Sequence, residues 1–381
     1  MNNIGVKSFG VKAPLIKKGD DIVKIVLDSV MDATFIEEDY YENGYRCTMH
    51  KSGLNDLDII GITESVVARS QGNYVTIDEI AEEIKSKFGE NATIDLIEPI
   101  YSRNRFAMIL KGIARGCKKV RILMPPVDEV GNVVRNHPFT NVNYDEYYTE
   151  ICQNEGCEVE IHDNPNYLEH IGPVNFLICT LHIEADDVLK HIGFMKSDED
   201  KIYTLKDICH DKCEYGLLGS NKSTEEVLKL FPRKADSGEI KGADTIVNEI
   251  KEKIKRAIGK DVIVVVYADG CFHDPVGGIW EFADPVSMVS FTDENIILST
   301  PSEIKLKAFI DDYKGDNLDE HIKEAISKKS INLKGLMDSQ GTTPRLIRDL
   351  VASLMDLTSG SGDKGTPIVV VQNYFNNYIT K

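Results

Sequence analysis

Runs of apolar residues along the chain predict the strands of a buried sheet. Residues 262–266 are all apolar, which is typical of a strand buried on both faces of a mixed or parallel sheet. A second such strand is predicted at 368–371, and a short one at 120–124 is stopped by two prolines. Residues 57–67 predict a further strand that meets a polar turn at 68–72. The carboxyl ends of strands like 262–266 are the expected ligand side of the sheet.

Apolar residues at helical spacing predict the helices. Asp20 or Asp21 is a natural N-cap for the first helix, and Ser223 with Glu226 forms a capping-box pattern before another. The segment 104–112 fits a helix or a strand equally well. The predicted helices cover residues 22–31, 78–88, 144–155, 224–231, 243–258, 318–328 and 344–357.

The length of the chain predicts more than one structural part. At 381 residues and 42.6 kDa it is too long for one ordinary core. Residues 136–242 are rich in His, Cys, Asp and Tyr, and we interpret them as an inserted subdomain. The core is then formed by residues 1–135 and 243–381.

Composition excludes several classes of protein. The formal net charge of -18 argues against binding to nucleic acid, since the phosphate backbone attracts clustered Lys and Arg. The apolar runs are much shorter than the roughly 20 residues needed to cross a bilayer. The amino-terminal residues lack the apolar region of a secretory signal, so we expect a cytoplasmic protein. Its eight cysteines are expected to be free thiols.

The loop after the strand at 262–266 carries candidate metal ligands. Asp269 follows the strand directly, and Asp274, Glu281 and Asp284 come soon after it among several glycines. Carboxylates this dense suit Mg²⁺ or Mn²⁺, which take oxygen ligands and share them with substrate phosphates. The alternative is a polar surface loop whose acids are solvated.

Two other segments have the composition of anion-binding loops. Residues 359–365 combine small residues, including Gly362, with the cation Lys364, so backbone N–H groups there can converge on an anion. Residues 215–224 place Lys222 beside a predicted helix start, where an anion can also bind. The alternatives are a flexible linker for the first segment and a ligand-free helix start for the second.

A zinc site is the less favoured interpretation of one cysteine pair. Cys209 and Cys213 flank His210, but no second pair lies at a usual zinc spacing. We therefore expect buried thiols here. The motifs of the commonest hydrolases, zinc proteases and dinucleotide-binding enzymes are also missing from the sequence.

Five segments, in order along the chain, resemble the γ-glutamyl ligase family that adds glutamate to the deazaflavin coenzyme F-420. They are 13–22 (APLIKKGDDI), 62–72 (ITESVVARSQG), 122–131 (ILMPPVDEVG), 262–273 (VIVVVYADGCFH) and 362–372 (GDKGTPIVVVQ). The resemblance implies a mixed α/β (α+β) fold of the family's own type and an intertwined homodimer. It also implies a reaction driven by GTP with Mg²⁺ or Mn²⁺. An acceptor carboxylate would be phosphorylated, and the amine of L-glutamate would then displace the phosphate.

The resemblance also implies roles for particular residues. The acceptor would be a small molecule of the F-420 type or a pterin such as folate. The candidate catalytic residues are Arg115 and Asp269, the candidate metal ligands are Asp269 and Asp274, and the candidate substrate or nucleotide contacts are Glu64, Arg69, Gln71, Lys222, Gly362 and Lys364. Arg115 and Lys222 are proposed from this chain's own residues, since the resemblance does not supply them.

This chain departs from the family where one metal ligand is expected. The family has an Asp at the position of Ala114, and Arg115 follows it here. A second hypothesis is therefore a non-catalytic relative that binds a nucleotide or metabolite, or regulates, without metal chemistry. A third places a thiol or metal activity in the insert, at Cys209, His210 and Cys213.

Overall fold

The computed structural model describes most of the chain. It covers residues 5–43, 45–97, 99, 101–124, 135–136, 140–170, 172–179, 184–268, 271–274, 279–282, 287–299, 306–328, 346–360 and 362–376.

These residues form helices and strands that are mixed along the chain, which confirms the predicted α+β class. The helices are α1 Ile22–Ala33, α2 Glu64–Gln71, α3 Ile77–Phe88, α4 Phe106–Gly116, α5 Tyr144–Asn154, α6 Ala185–His191, α7 Ala243–Ile258, α8 Glu294–Ile297, α9 Leu306–Asp312, α10 Leu318–Lys328 and α11 Ile347–Ser359. The strands are β1 Lys7–Val11, β2 Phe35–Glu42, β3 Tyr45–Ser52, β4 Ile59–Thr63, β5 Tyr74–Thr76, β6 Thr93–Ile97, β7 Lys119–Leu123, β8 Glu158–His162, β9 Asn175–Ile178, β10 Lys201–Thr204, β11 Asn221–Thr224, β12 Val227–Lys229, β13 Ile263–Tyr267, β14 Cys271–Asp274, β15 Ile279–Phe282, β16 Met288–Phe291 and β17 Ile368–Gln372.

The chain divides into two compact units. The first comprises residues within 1–67, 235–270 and 287–381, and the second comprises residues within 68–234 and 271–286. Strands from before and after residue 136 share one sheet of the second unit. That 136–242 is an insertion stays a prediction.

A five-stranded mixed sheet forms the centre of the first unit, in the order β1-β17-β4-β13-β16. Strand β4 lies parallel to β13, whereas β17 is antiparallel to β4 and β16 is antiparallel to β13. Every residue of β13 and β17 is buried. Alternate side chains such as Val265 and Val369 pack with α11, while α1 and α7 lie against the same sheet. The predicted strands at 262–266 and 368–371 are thus confirmed.

Helix α11 crosses strand β4 closely because Gly61 has no side chain. A Cβ atom at position 61 would lie 2.2 Å from the sulfur of Met355 and 3.0 Å from Tyr267 Cδ1. This close approach fixes the height of α11 above the sheet.

The second unit contains a five-stranded parallel sheet in the order β10-β9-β6-β7-β8. The chain starts at the central strand β6, moves outward through α4 and α5 to β8, and then continues at β9 on the other side of β6. This is a doubly wound arrangement.

Helix α4 begins at Phe106 and lies close to α3, which settles the ambiguous segment 104–112 as helix. The contact uses Gly112 and Gly116, four residues apart on one face of α4. A Cβ at Gly116 would lie 2.6 Å from the carbonyl oxygen of Ala81. The two glycines therefore allow the backbones to approach.

Two predicted elements are wrong. Residues 57–67 form strand β4 only as far as Thr63, and α2 then begins at Glu64, so the predicted turn at 68–72 falls largely inside a helix. Residues 224–231 form no helix, because β12 pairs with β5 and β11 pairs with β12. Pairing with a distant strand overrides the local capping pattern of Ser223 and Glu226.

Replacing Gly116 with alanine should destabilise the protein. The added methyl group has to displace backbone atoms of α3, and overpacking of this kind costs about 1–3 kcal/mol. Urea denaturation should show this loss in the free energy of unfolding. The matched control is Gly5→Ala, since position 5 has open space around it. An equal effect of both substitutions would contradict the close packing of α3 and α4.

Candidate functional site

One edge of the sheet in the first unit gathers several polar segments of the chain. Strands β1, β4 and β13 end at this edge, and β17 and β16 begin there, as the registers Val11↔Ile368, Ile368↔Ile62, Tyr267↔Thr63 and Tyr267↔Met288 show. We call it the β4–β13 edge. Four of the five segments singled out in the sequence, namely 13–22, 62–72, 262–273 and 362–372, leave or enter the sheet at this edge.

Hydrogen bonds between backbones hold these segments together. Ala13 N donates to Gly365 O (3.1 Å), and Thr63 N donates to Pro367 O (3.0 Å). The loop before β17 is also tied to the end of α11, since Thr366 Oγ1 donates to Ser359 O (2.7 Å). The loop before β17 is therefore held to its neighbours by hydrogen bonds, and the interpretation of this segment as a flexible linker does not fit.

The two predicted anion contacts of this loop are at its surface. Gly362 and Lys364 belong to a short 3-10 helix, Gly362–Lys364, and both are exposed. Gly365 follows with a φ of 68°, a left-handed conformation that suits glycine. The ammonium of Lys364 is thus available to an anionic ligand at the β4–β13 edge.

Helix α2 begins where β4 ends, and it carries three predicted contacts. Glu64 in its first turn is buried, and Arg69 in its last turn is exposed. Gln71 is buried with its amide in use: Arg233 N donates to Oε1 (2.8 Å), and Nε2 donates to Arg233 O (3.0 Å). Gln71 therefore has a structural role that the sequence did not indicate.

Asp349 is a carboxylate at the same edge that the sequence analysis missed. It lies in the first turn of α11, where Ser287 Oγ donates to its Oδ1 (2.5 Å). Ser287 O in turn accepts from Ala268 N (3.2 Å), directly before position 269. The Asp349 side chain is 40% exposed, so it can still meet a ligand. A lone aspartate inside an amphipathic helix carries no motif, which is why the sequence did not reveal it.

The predicted metal ligands cannot be placed. Asp269 lies outside the described residues, and the side chain of Asp274 does too, although its backbone belongs to β14. Among the side chains that the structure describes, no three of His, Cys, Asp and Glu come together to hold a metal ion. The donors described at the edge, Asp349 among them, do not make a metal site by themselves.

Arg115 lies in the second unit, at the end of α4, and contacts carboxylates. Its Nε and Nη2 donate to Glu155 at 2.7 and 3.2 Å, and its Nη1 donates to Asp78 (2.8 Å) and Glu226 (2.9 Å). The bonds to Glu155 raise the pKa of the guanidinium above its ordinary value. Lys111 joins the same network through Glu226. A phosphate at Arg115 would have to replace these carboxylates.

Ala114, at the position where the resemblance implies an aspartate, is buried in the same helix. A carboxylate at that position would lose its hydration unless a cation or donor met it. The neighbouring Arg115 is already bound to acids, so alanine is the residue that suits this packing.

The side chain and the backbone N–H of Lys222 both make hydrogen bonds within the protein. Its Nζ donates to Glu225 (2.5 Å), and its backbone N donates to Asn104 O (2.8 Å). The start of α4 nearby is capped by Ser102, whose Oγ accepts from Phe106 N (2.7 Å) and Arg105 N (3.1 Å). The backbone N–H groups of Arg105 and Phe106 at the start of α4 are thus satisfied without an anion.

The cysteine pair behaves as expected for thiols. Cys209 and Cys213 are both buried, His210 is exposed, and burial raises the pKa of Cys209. The seven cysteines whose side chains are described are free. In the described part of the chain, no helix is long and apolar enough to span a membrane.

A family model described as F420-0:Gamma-glutamyl ligase matches residues 10–373. No curated protein matches the sequence. Among solved structures, the crystal structure of eIF2B beta from Chaetomium thermophilum is 13% identical and has a TM-score of 0.19. That match covers 31% of this chain and 34% of the other, and a similarity this low assigns neither a fold nor a function.

Replacing Arg115 with methionine should lower the stability of the protein. Methionine keeps the aliphatic volume but leaves Glu155, which is 14% exposed, without its main partner, at a cost of about 1–3 kcal/mol. The bond from Lys111 holds the pKa of Glu226 below its ordinary 4.5, and Arg115 adds to this. The part of the stabilisation that comes from Glu226 is therefore complete above that value and is lost as the pH falls through the lower folded pKa of Glu226.

Chemical denaturation at pH 7 and in acid measures both effects. The matched control is Arg256→Met, because Arg256 is 79% exposed and lies 3.5 Å from Glu252. We expect this control to change stability by less than about 0.5 kcal/mol. If Arg115→Met were as neutral as the control, the carboxylate network would not be a structural contact.

Proposed function

Because the chain belongs to the F420-0:gamma-glutamyl ligase family, we propose that it joins the amine of L-glutamate to an activated carboxylate of a small-molecule acceptor. The activation is a phosphorylation by GTP, supported by Mg²⁺ or Mn²⁺. The acceptor is of the F-420 type or a pterin such as folate. The protein acts as a homodimer in the cytoplasm.

The observation that supports this proposal is the convergence of four sequence segments at the β4–β13 edge. Each contains residues typical of the family, and they come from positions between 13 and 372. A ligase needs cations, carboxylates and backbone donors at one place to hold a nucleotide beside a second substrate. This edge supplies them on buried, rigid strands.

Within that edge we assign roles to particular residues. The exposed Lys364 and the backbone of Gly362 bind a phosphate of GTP, since an ammonium on a glycine-rich turn is complementary to an anion. Glu64 and Arg69 at the two ends of α2 contact the acceptor. The side-chain amide of Gln71 makes two hydrogen bonds to the backbone of Arg233, and these bonds help to hold α2 in place.

The metal part of the proposal depends on Asp269, with Asp274 as a second ligand. The described residues do not form the metal site by themselves. When bound, Mg²⁺ or Mn²⁺ would neutralise charge on the transferred phosphate. Asp349, which also accepts from Arg348 Nε (3.2 Å), places a carboxylate next to Ala268 and would reinforce binding of that cation.

A second candidate function is a non-catalytic relative that binds a nucleotide or metabolite. The observation that favours it is the buried Ala114 beside Arg115, whose guanidinium is bound to Glu155, Asp78 and Glu226. In that case the β4–β13 edge keeps its ligand but lacks the metal chemistry. Nucleotide binding without metal dependence would distinguish it from the ligase.

Calorimetric titration with GTP should detect binding that requires Mn²⁺ or Mg²⁺. We expect Asp269→Ala to abolish that requirement together with most of the affinity, because a carboxylate ligand of the ion is removed. The exposed Asp198→Ala, in the second unit, is the matched control and should bind GTP normally. GDP and ATP, each with and without the metal, define the nucleotide preference.

Metal-dependent binding that is lost only in Asp269→Ala supports the ligase and justifies assays of glutamate transfer. Absence of GTP binding, or binding that ignores both the metal and Asp269, contradicts it. Metal-independent binding of another nucleotide supports the non-catalytic relative.

Asp349→Asn should weaken metal-dependent GTP binding by about tenfold or more. Asparagine keeps an oxygen that can accept the hydrogen bond from Ser287, so the fold is retained while the negative charge is lost. The unfolding midpoint of the variant checks that the fold is intact. An unchanged metal and GTP affinity in a stable variant would show that Asp349 is outside the site.

A further inference from the structure

Cys117 and Cys157 bring two thiols into contact in the second unit. Their Sγ atoms are 3.8 Å apart, although 40 residues separate the two cysteines along the chain. A disulfide bond is about 2.05 Å long, so the two sulfur atoms need to approach by about 1.8 Å to be joined. Neither residue belongs to the proposed ligand site, and the ligase reaction gives neither thiol a role.

The backbone on both sides of this pair belongs to regular structure. Cys117 caps the end of α4 two residues before β7, and Cys157 directly precedes β8. Strands β7 and β8 are parallel, with Lys119 opposite Glu158. Just before these strands, Glu158 N donates to Lys118 O (3.0 Å). The contact between the two thiols is therefore a consequence of the strand pairing.

A salt bridge joins the same two segments of the chain. Arg115 lies two residues before Cys117, and Glu155 lies two residues before Cys157. Arg115 Nε donates to Glu155 Oε2 (2.7 Å), and its Nη2 donates to the other oxygen (3.2 Å). The end of α4 and the turn before β8 are thus held together independently of the thiols. Because the two sulfur atoms are positioned in advance, a bond between them forms more readily than one between thiols that meet by diffusion.

Exposure and hydrogen bonding make the two thiols unequal. Cys117 is partly exposed, whereas Cys157 is only 3% exposed, so a small oxidant reaches the pair from the side of Cys117. A hydrogen bond from the Cys117 thiol lowers the pKa of Cys157 below its ordinary 9.0, and the N–H of Val120 adds to this effect. The thiolate is the reactive form of cysteine. Burial raises the pKa of Cys152 in α5, which keeps that sulfur a thiol.

We propose that Cys117 and Cys157 are a redox pair, which a hydroperoxide joins into an intramolecular disulfide and a small thiol separates again. The cross-link ties the end of α4 to the start of β8. Disulfides that form in a reducing compartment are usually transient and redox-sensing. The free thiols of this structure are then the resting state of the pair.

The oxidation consumes one peroxide for each disulfide. The thiolate of Cys157 attacks one peroxide oxygen, the O–O bond breaks, and the leaving hydroxide takes the proton released by Cys157 to become water. Cys117 then loses its proton, and its sulfur attacks the sulfenic acid at Cys157. The S–S bond forms, the S–O bond breaks, and the hydroxide leaves with the proton of Cys117 as a second water. Two electrons have passed from the sulfur atoms to the peroxide. Two small thiols reverse the reaction by successive exchange and become a disulfide themselves.

Counting alkylated thiols in the full chain tests the redox pair without any ligand or activity. The native protein is treated with hydrogen peroxide, unfolded and alkylated with N-ethylmaleimide, and its mass gives the number of free thiols. We expect the wild type to lose two of its eight alkylatable thiols and to regain both with dithiothreitol. Digestion after basic and acidic residues should link Cys117 to Cys157. Because Glu155 lies between Cys152 and Cys157, the same digestion tells these two cysteines apart.

Serine variants and a matched control make the test specific. Neither Cys117→Ser nor Cys157→Ser should form an intramolecular disulfide. The control is Cys47→Ser, because Cys47 is also a partly exposed free thiol, and this variant should still lose two thiols. Peroxide should also raise the urea midpoint of the wild type, since a link between residues 40 apart restricts the unfolded chain. It should not raise the midpoint of Cys117→Ser.

Eight alkylated thiols after peroxide treatment would overturn the inference. A link from Cys117 to another cysteine, a disulfide between two chains on a non-reducing gel, or oxidation that dithiothreitol does not reverse would overturn it as well. Urea midpoints identify a serine variant that has lost its fold, and the other serine variant or the mapped link in the wild type then decides. None of these results depends on GTP, so the ligase proposal stands or falls separately.

Discussion

The parallel pairing of β4 with β13 is the constraint on which the candidate site depends. Ile59, Ile60 and Ile62 of β4 are completely buried, as are residues 263–266 of β13. Strands that are buried on both faces cannot shift by one residue without strain in both packed layers. The register Tyr267↔Thr63 is therefore fixed, and it decides which residues come out of the sheet side by side.

The remaining contacts of the first unit follow from that pair. Strand β17 pairs with β4 and so brings the loop before β17 to Thr63. Strand β16 pairs with β13 and so brings Ser287 to Ala268. Helix α11 can lie across β4 because Gly61 leaves room for Met355. It carries Asp349 at its start and leads into Lys364 after its end. A rigid apolar frame thus holds polar groups from distant parts of the chain, as ligand sites require.

Much of this frame was predictable because its signals are strong and local. The apolar runs at 262–266 and 368–371 gave two central strands, and α7 and α10 have the predicted bounds. Asp21 caps α1 as expected, with Lys24 N donating to Oδ1 (3.1 Å). The segments typical of the family identified the chain from its sequence, and the match over residues 10–373 confirms that identification.

What the sequence did not reveal depends on contacts between distant residues. Strand β12 pairs with β11 and with the distant β5 where a helix was predicted, and the acids around Arg115 come from three distant segments of the chain. The antiparallel pair of β2 and β3 was missed because its alternation of apolar and charged residues is irregular. The Asn-Gly dipeptide at 43–44 of the sequence is nevertheless a strong hairpin signal that we did not use.

The proposed ligand site unites distant segments of the chain at the β4–β13 edge. Hydrogen–deuterium exchange of the full chain, with and without GTP and Mn²⁺, tests it most directly. If these segments share one bound ligand, adding GTP and Mn²⁺ together slows exchange in the peptides that cover residues 10–16, 62–68 and 359–367. Protection confined to other segments, or no change in these three, would contradict it.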